Sequence, residues 1–200
     1  MIRVPRLLAI TDRRSLDRPL ADWLDELAAA GVDGVALREK DLDDRGLFEL
    51  AKDARRRFTG LLVVNGRADV ALAAGCDGVH LPAAGLPTAA LRRRLGPGPV
   101  IGRSTHDPAE VSAAARDGAD YVTFGPVYPT PSKAAYGPPP GVSGLRRAAA
   151  AGLPVLALGG VDGARWAEVR RAGASGMAGI RVFQDKTALE KLVAASRDNR

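Results

Sequence analysis

The chain has little sulfur, few aromatic residues and no long apolar run. Of 200 residues, one is cysteine (Cys76), two are methionine and 4% are aromatic. A single cysteine excludes an intramolecular disulfide and a cysteine metal cluster. It fits a reducing cytoplasm, the expected location. The first apolar run, Leu7-Leu8-Ala9-Ile10, turns polar at Thr11-Asp12. That is too short for a signal h-region or a membrane span, so no targeting signal and no membrane association are expected. What is present is 46% hydrophobic and 26% charged residues, the balance of a globular chain with one sizeable core or two small ones. Lys and Arg outnumber Asp and Glu by 29 to 23, a net +6 that raises the question of an anionic partner such as nucleic acid. The basic runs Arg55-Arg56-Arg57 and Arg92-Arg93-Arg94 fall at the C-terminal ends of helical stretches. Positive charge complements the helix dipole there, so a solvated arginine face and no nucleic-acid partner are expected.

A degenerate repeat organises the chain. Ala30-Gly31-Val32-Asp33-Gly34, Ala74-Gly75-Cys76-Asp77-Gly78, Asp117-Gly118-Ala119-Asp120-Tyr121 and Ala172-Gly173-Ala174-Ser175-Gly176 each read as a helix ending in glycine, a tight turn and a buried strand. The glycine supplies the left-handed position after the helix, and the following Asp or Ser is expected to bond its own turn. Between these strands lie four more apolar runs, beginning at Leu7, Leu61, Val100 and Pro154. Eight nearly continuous apolar strands match a parallel sheet buried on both faces. Helical stretches separate them, including Leu20 to Ala30 and Pro108 to Arg116, with Pro108 suited to a first turn. The fold class is therefore α/β, a single (β/α)8 TIM barrel occupying residues 1–200 as one domain. A doubly wound open sheet would alternate in the same way, but the even spacing leaves no edge strand or switch point. The surplus segment from Tyr128 to Pro140 is rich in proline and turn formers, as expected of a lid.

Barrel ligands sit at the C-terminal strand ends. Those ends collect Thr11 and Asp12, Arg38 to Lys40, Asn65, His80, Ser104 to His106, Gly125 to Tyr128, Gly159-Gly160, and Ile180-Arg181. This cationic, glycine-containing set suggests a phosphate ligand. Gly159-Gly160, followed by a helix expected to begin near Asp162, would present backbone N–H groups to it, with Ile180 and Arg181 adjoining. His80, His106 and Tyr128 are the candidate proton carriers. Each histidine also has an ordinary structural reading, in the wall for His80 and at a helix start for His106. Cys76, in a turn at the opposite end, is no candidate nucleophile.

The ordered motifs Ala9-Ile10-Thr11-Asp12, Leu37-Arg38-Glu39-Lys40-Asp41, Asp77-Gly78-Val79-His80-Leu81, Gly125-Pro126-Val127-Tyr128-Pro129-Thr130-Pro131-Ser132-Lys133 and Leu158-Gly159-Gly160-Val161 resemble the thiamine phosphate synthase/TenI superfamily over nearly the whole chain. The resemblance implies a (β/α)8 barrel. In the synthase branch a thiazole phosphate displaces pyrophosphate from an aminopyrimidine diphosphate, with Mg²⁺ holding the diphosphate. Carried over by position, Arg38, Lys40 and Asn65 would meet the diphosphate, Thr130, Ser132 and Lys133 would belong to the lid, and Gly160 and Ile180 would hold the thiazole phosphate. The two synthase metal ligands are glycine here, at Gly66 and Gly85. Asn65-Gly66-Arg67, Leu81-Pro82 and Ile101-Gly102-Arg103-Ser104 are similar to the TenI branch, although its catalytic histidine corresponds to Pro126. The reading that follows is a metal-independent thiazole tautomerase with no cofactor, binding a small phosphorylated thiazole. One alternative is thiamine phosphate synthase, with Mg²⁺ held by Asp12, Glu39 or Asp41. Another is a non-catalytic regulatory barrel that keeps only the binding. The sequence leaves homo-oligomerisation open.

Overall fold

Short apolar runs buried on two sides and amphipathic stretches buried on one alternate along the chain, and that alternation dictates the architecture. The computed structural model describes residues 4–130 and 138–197. Strands β1 (Leu7–Ile10), β2 (Gly34–Leu37), β3 (Leu61–Asn65), β4 (Gly78–Leu81), β5 (Val100–Thr105), β6 (Tyr121–Phe124), β7 (Val155–Leu158) and β8 (Gly176–Gly179) pair in parallel and in order, with β8 closing on β1. Around them lie α1 (Leu20–Ala30), α2 (Asp44–Arg57), α3 (Ala68–Ala73), α4 (Thr88–Leu95), α5 (Pro108–Arg116), α6 (Gly141–Ala149), α7 (Trp166–Arg171), α8 (Arg181–Gln184) and α9 (Lys186–Arg197). The expected (β/α)8 barrel is the observed one. None of the described helices is long and apolar enough to cross a membrane.

Strand alternation sorts the core into two compartments. Leu8, Ala36, Val63, Val100, Tyr121, Leu156 and Ala178 fill the barrel interior, one from each strand except β4. The inward places of β4 are Gly78 and His80, because Val79 and Leu81 pack outward with Ile101. The larger compartment, between strands and helices, contains Trp23, Trp166, Phe58, Phe124 and Phe183, all almost fully buried. Both tryptophans and three of the four phenylalanines lie under the helices, whereas Tyr121 is inside the barrel.

The repeat explains how the lower rim is closed. Gly31, Gly75, Gly118 and Gly173 all have positive φ, between 71° and 97°, as the helix-ending reading requires. The aspartates that follow do something other than the expected turn bond. Asp33 accepts from Leu7 N–H (2.8 Å) on β1, Asp77 from Leu62 N–H (2.7 Å) on β3, and Asp120 from Ile101 N–H (2.7 Å) on β5. Asp77 and Asp120 also donate their own N–H to the carbonyls of Leu62 and Ile101, so each clamps one residue of the neighbouring strand with two arms. Arg55 binds the Asp77 carboxylate at 2.8 Å, and Arg92 binds that of Asp120 at 2.6 Å. Two members of the arginine runs are thereby tied into the rim.

Candidate functional site

At the upper rim, residues that continue the inward alternation of each strand converge on the barrel mouth. Arg38 follows Ala36 in this sense, Asn65 follows Val63 and Ser104 follows Val100. Arg38 N–H donates to the hydroxyl of fully buried Thr11 (2.8 Å), which fixes the end of β2 against β1. Beside this junction is a cavity of about 300 Å³ lined by Asp12, Arg14, Arg38, Glu39, Lys40 and Asp41. Arg13 organises its floor. The Arg13 N–H donates to both carboxylate oxygens of buried Glu39 (3.1 and 3.2 Å), and its guanidinium reaches Glu39 (3.4 Å) and both oxygens of Asp41 (2.8 and 2.9 Å). The guanidinium holds the Asp41 carboxyl below its usual range and is itself raised by the pair. Arg14, Arg38 and Lys40 are left as the cations facing the cavity.

On the opposite side, Gly159 and Gly160 follow β7 with φ of +92° and +68°. A Cβ at 160 would lie 2.7 Å from Tyr128 Cβ, and one at 159 the same distance from Pro126, because the chain leaving β6 rests on them. Tyr128 N–H donates to the Gly159 carbonyl (3.0 Å), and Arg165 stacks over the Tyr128 ring at 4.4 Å while donating to the Gly160 carbonyl. The helix expected from Asp162 starts four residues later, at Trp166. Asp162 instead accepts from Arg165 N–H (3.0 Å) in a turn. A phosphate here would meet a glycine turn rather than the end of a helix. Ile180 precedes α8, and Arg181 is its exposed first residue.

The three candidate proton carriers are dispersed. His80 faces the barrel interior, 5% exposed, and reaches toward the mouth through Ser104. His106 is exposed and braces the start of α5: its ring Nδ1 pairs with the Gly125 carbonyl, and its N–H donates to Glu110 (2.6 Å). Tyr128 donates its hydroxyl to Glu168, and burial together with that carboxylate pushes its pKa up to about 12. Thr130 lies within the described residues; Ser132 and Lys133 lie outside them. Sequence reasoning missed Arg14, although Arg13-Arg14 directly after Thr11-Asp12 was the available signal. It collected Ser104 at a strand end but did not pair it with His80, and it passed over the Tyr121 hydroxyl on the other side of that ring.

Magnesium requires converging hard oxygen donors. Gly66 has φ +73°, a conformation an aspartate would adopt under strain, and a Cβ at 85 would lie 2.9 Å from the Pro82 carbonyl oxygen. The backbone at both positions is thus shaped around glycine. Of the three substitute ligands considered, Glu39 and Asp41 are both held by Arg13, which leaves Asp12 as the one carboxylate of that set at the cavity without such a bridge among the described residues. Among the described residues, no group of three His, Cys, Asp or Glu side chains is placed to hold a metal ion. The residues present do not fit a resident Mg²⁺.

A family model described as thiamine monophosphate synthase matches residues 7–183. A Geobacter sulfurreducens protein, provisionally named a thiamine-phosphate synthase, is 49% identical over 177 residues, covering 86% of this chain and 83% of that protein. The thiamine-phosphate synthase of Mycobacterium sp. strain KMS is 40% identical over 205 residues, covering 96% of this chain and 89% of its own. Among solved structures, thiamine phosphate pyrophosphorylase from Pyrococcus furiosus superposes with a TM-score of 0.85 at 31% identity, covering 96% of each chain. These relatives correct the expectation of a thiazole tautomerase: all three carry the name of the coupling enzyme. The glycines at 66 and 85 were given too much weight in choosing between branches.

Proposed function

Because the chain belongs to the thiamine monophosphate synthase family, we propose that it is a thiamine-phosphate synthase, in which a thiazole phosphate displaces diphosphate from an aminopyrimidine diphosphate. The observation that carries this reading is identity of 40% over almost the full chain with a protein of that name. In the proposed arrangement Arg14, Arg38 and Lys40 surround the departing diphosphate in the cavity beside β2, with Asn65 at its edge. The Gly159-Gly160 turn, Ile180 and Arg181 hold the thiazole phosphate; Thr130, Ser132 and Lys133 are further substrate-binding residues by the family resemblance, the last two outside the described residues. Charge neutralisation by guanidinium and ammonium groups suits a leaving group whose negative charge grows as the bond breaks. No step is assigned to a metal, since Glu39 and Asp41 serve Arg13 and leave Asp12 as a single carboxylate at the cavity. The reducing setting in which Cys76 remains a thiol makes the cytoplasm the proposed location.

The test is direct coupling of the two substrates by the purified protein. Thiamine phosphate is expected above the uncatalysed background. Hydrogen bonds to charged groups contribute about 1.5–3 kcal/mol, so Arg38→Ala is expected to lower kcat/KM by about 10- to 100-fold. Substrate binding without product would overturn the coupling reading and leave a binding protein.

A further inference from the structure

Inside the barrel, β4, β5 and β6 bring together polar side chains to which the proposed coupling assigns no role. His80 Nδ1 lies 3.1 Å from the Tyr121 hydroxyl, and Nε2 lies 2.9 Å from Ser104 Oγ, with Thr123 Oγ1 farther off at 3.5 Å. Tyr121 is fully enclosed and sits opposite Gly102 in the β5–β6 register. A Cβ at 102 would fall 2.3 Å from Tyr121 Cζ and 2.6 Å from His80 Nδ1, so glycine at this position is what admits the pair.

The buried phenol decides where the imidazole proton sits. A phenol must donate its O–H, and a buried donor left unpaired forfeits its full hydration. Among the described residues, the acceptor within its reach is His80 Nδ1. Nδ1 therefore keeps its lone pair, and the neutral ring carries its proton on Nε2. Burial, and then the charge of Arg103, hold the imidazolium down to a pKa of about 4, so the ring is neutral near pH 7. Nε2–H donates to the nearer hydroxyl, Ser104 Oγ. Because Ser104 accepts from below, its own proton is available above, and this half-buried residue lies toward the mouth end of β5.

We propose that Tyr121 and His80 are positioning residues that fix the Ser104 hydroxyl as a hydrogen-bond donor into the barrel mouth, where it meets an oxygen of a phosphate group. Naming that oxygen as substrate rests on the coupling reading; the direction of the hydrogen-bond chain does not. Direction matters chemically, since a hydroxyl locked as donor favours an anionic oxygen and disfavours another donor.

The experiment joins ring ¹⁵N NMR of histidine-labelled protein with binding of inorganic pyrophosphate and of inorganic phosphate. With two histidines in the chain, the spectrum is readily assigned using a His106→Gln variant. His80 is expected as the Nε2–H tautomer from pH 8 to pH 5.5, and Tyr121→Phe is expected to abolish that single-tautomer state. Ser104→Ala should weaken pyrophosphate or phosphate binding about 5- to 20-fold, and the ligand affected identifies which of the two groups is met. Ser104→Thr should restore most of the affinity, and Tyr121→Phe should weaken the same ligand about 3- to 5-fold. An Nδ1–H tautomer at His80 would overturn the proposal. So would unchanged affinity for both ligands in Ser104→Ala, or in a folded Tyr121→Phe. If Tyr121→Phe does not fold, the wild-type tautomer and the Ser104 pair still decide. A wild-type protein that makes no thiamine phosphate would remove the coupling reading while leaving these measurements intact.

Discussion

His80 couples the stability of the barrel to pH in a defined window. The unfolded side chain takes up a proton near pH 6.5, whereas the buried ring resists it until about pH 4. Between those values the unfolded chain binds more protons, so stability is fully present above pH 6.5 and declines as pH falls. Two units of that window correspond to about 2–3 kcal/mol. Urea unfolding at pH 7.0 and pH 4.5 should show a loss of this order, and a His80→Gln variant should have a flatter dependence. Equal dependence in the two proteins would assign the acid sensitivity to other groups. At this scale the sequence was legible in part. Period-two alternation identifies which side chains point toward the mouth, and Arg38, Asn65 and His80 follow it. Partner choice was not legible. Arg13 takes Glu39 and Asp41, 26 and 28 positions away, and Tyr128 takes Glu168, 40 positions away. Nothing local in the chain records such pairings.

Elements were legible where a local signal is physically sufficient. Leu20–Ala30 ends at a left-handed glycine, and Pro108–Arg116 starts with proline at its first turn behind Asp107, whose carboxylate caps Ala109 N–H at 2.7 Å; both helices have the expected bounds. Strand β5 runs beyond the apolar Val100-Ile101-Gly102 to Thr105, with Arg103, Ser104 and Thr105 polar at its mouth end. Arg103 donates to the Ala83 and Leu86 carbonyls and Thr105 to that of Thr123, so polar residues continue the ladder. The rim clamps belong to this scale too. Asp120→Ala strips the partner from Ile101 N–H and from Arg92, and is expected to cost about 1–3 kcal/mol. A double-mutant cycle with Arg92→Ala should return a coupling of about 0.5–3 kcal/mol by chemical denaturation. Additive losses would mean that the guanidinium is held by the Gly96, Pro99 and Gly118 carbonyls alone.

For the whole molecule, closure disposes of the edge-strand problem, and eight strands leave an interior filled by side chains. The net charge of +6 reads differently once partners are known. Arg13, Arg18, Arg55, Arg56, Arg57, Arg67 and Arg92 all sit within salt-bridge distance of a carboxylate. Among the described residues, the cations without such a bridge at the cavity beside β2 are Arg14, Arg38 and Lys40, and there an anion would be drawn. Saturation at 100 times Kd stabilises a folded protein by about 2.7 kcal/mol. Inorganic pyrophosphate should therefore raise the melting temperature by several degrees, equally in Mg²⁺ and in a chelator, and Arg38→Ala with Lys40→Ala should remove most of the shift. A shift seen only with Mg²⁺ would show that the ion arrives with the diphosphate and is needed to seat it.

The rim clamps are distributed unevenly around the wall. Leu7, Leu62 and Ile101 are each gripped by an aspartate, but the fourth repeat has Ser175, which keeps the backbone arm to the Val155 carbonyl (2.8 Å) and has no carboxylate for a second. Three quarters of the wall are riveted at the base. The quarter without an aspartate clamp is β7 and β8, the same two strands whose upper ends carry the Gly159-Gly160 turn and Ile180. Local opening follows the distribution of such ties, so amide hydrogen exchange is expected to be faster at the feet of β7 and β8, beneath the turn proposed for the thiazole phosphate, than at the feet of β1 and β2, which carry the cavity proposed for the diphosphate.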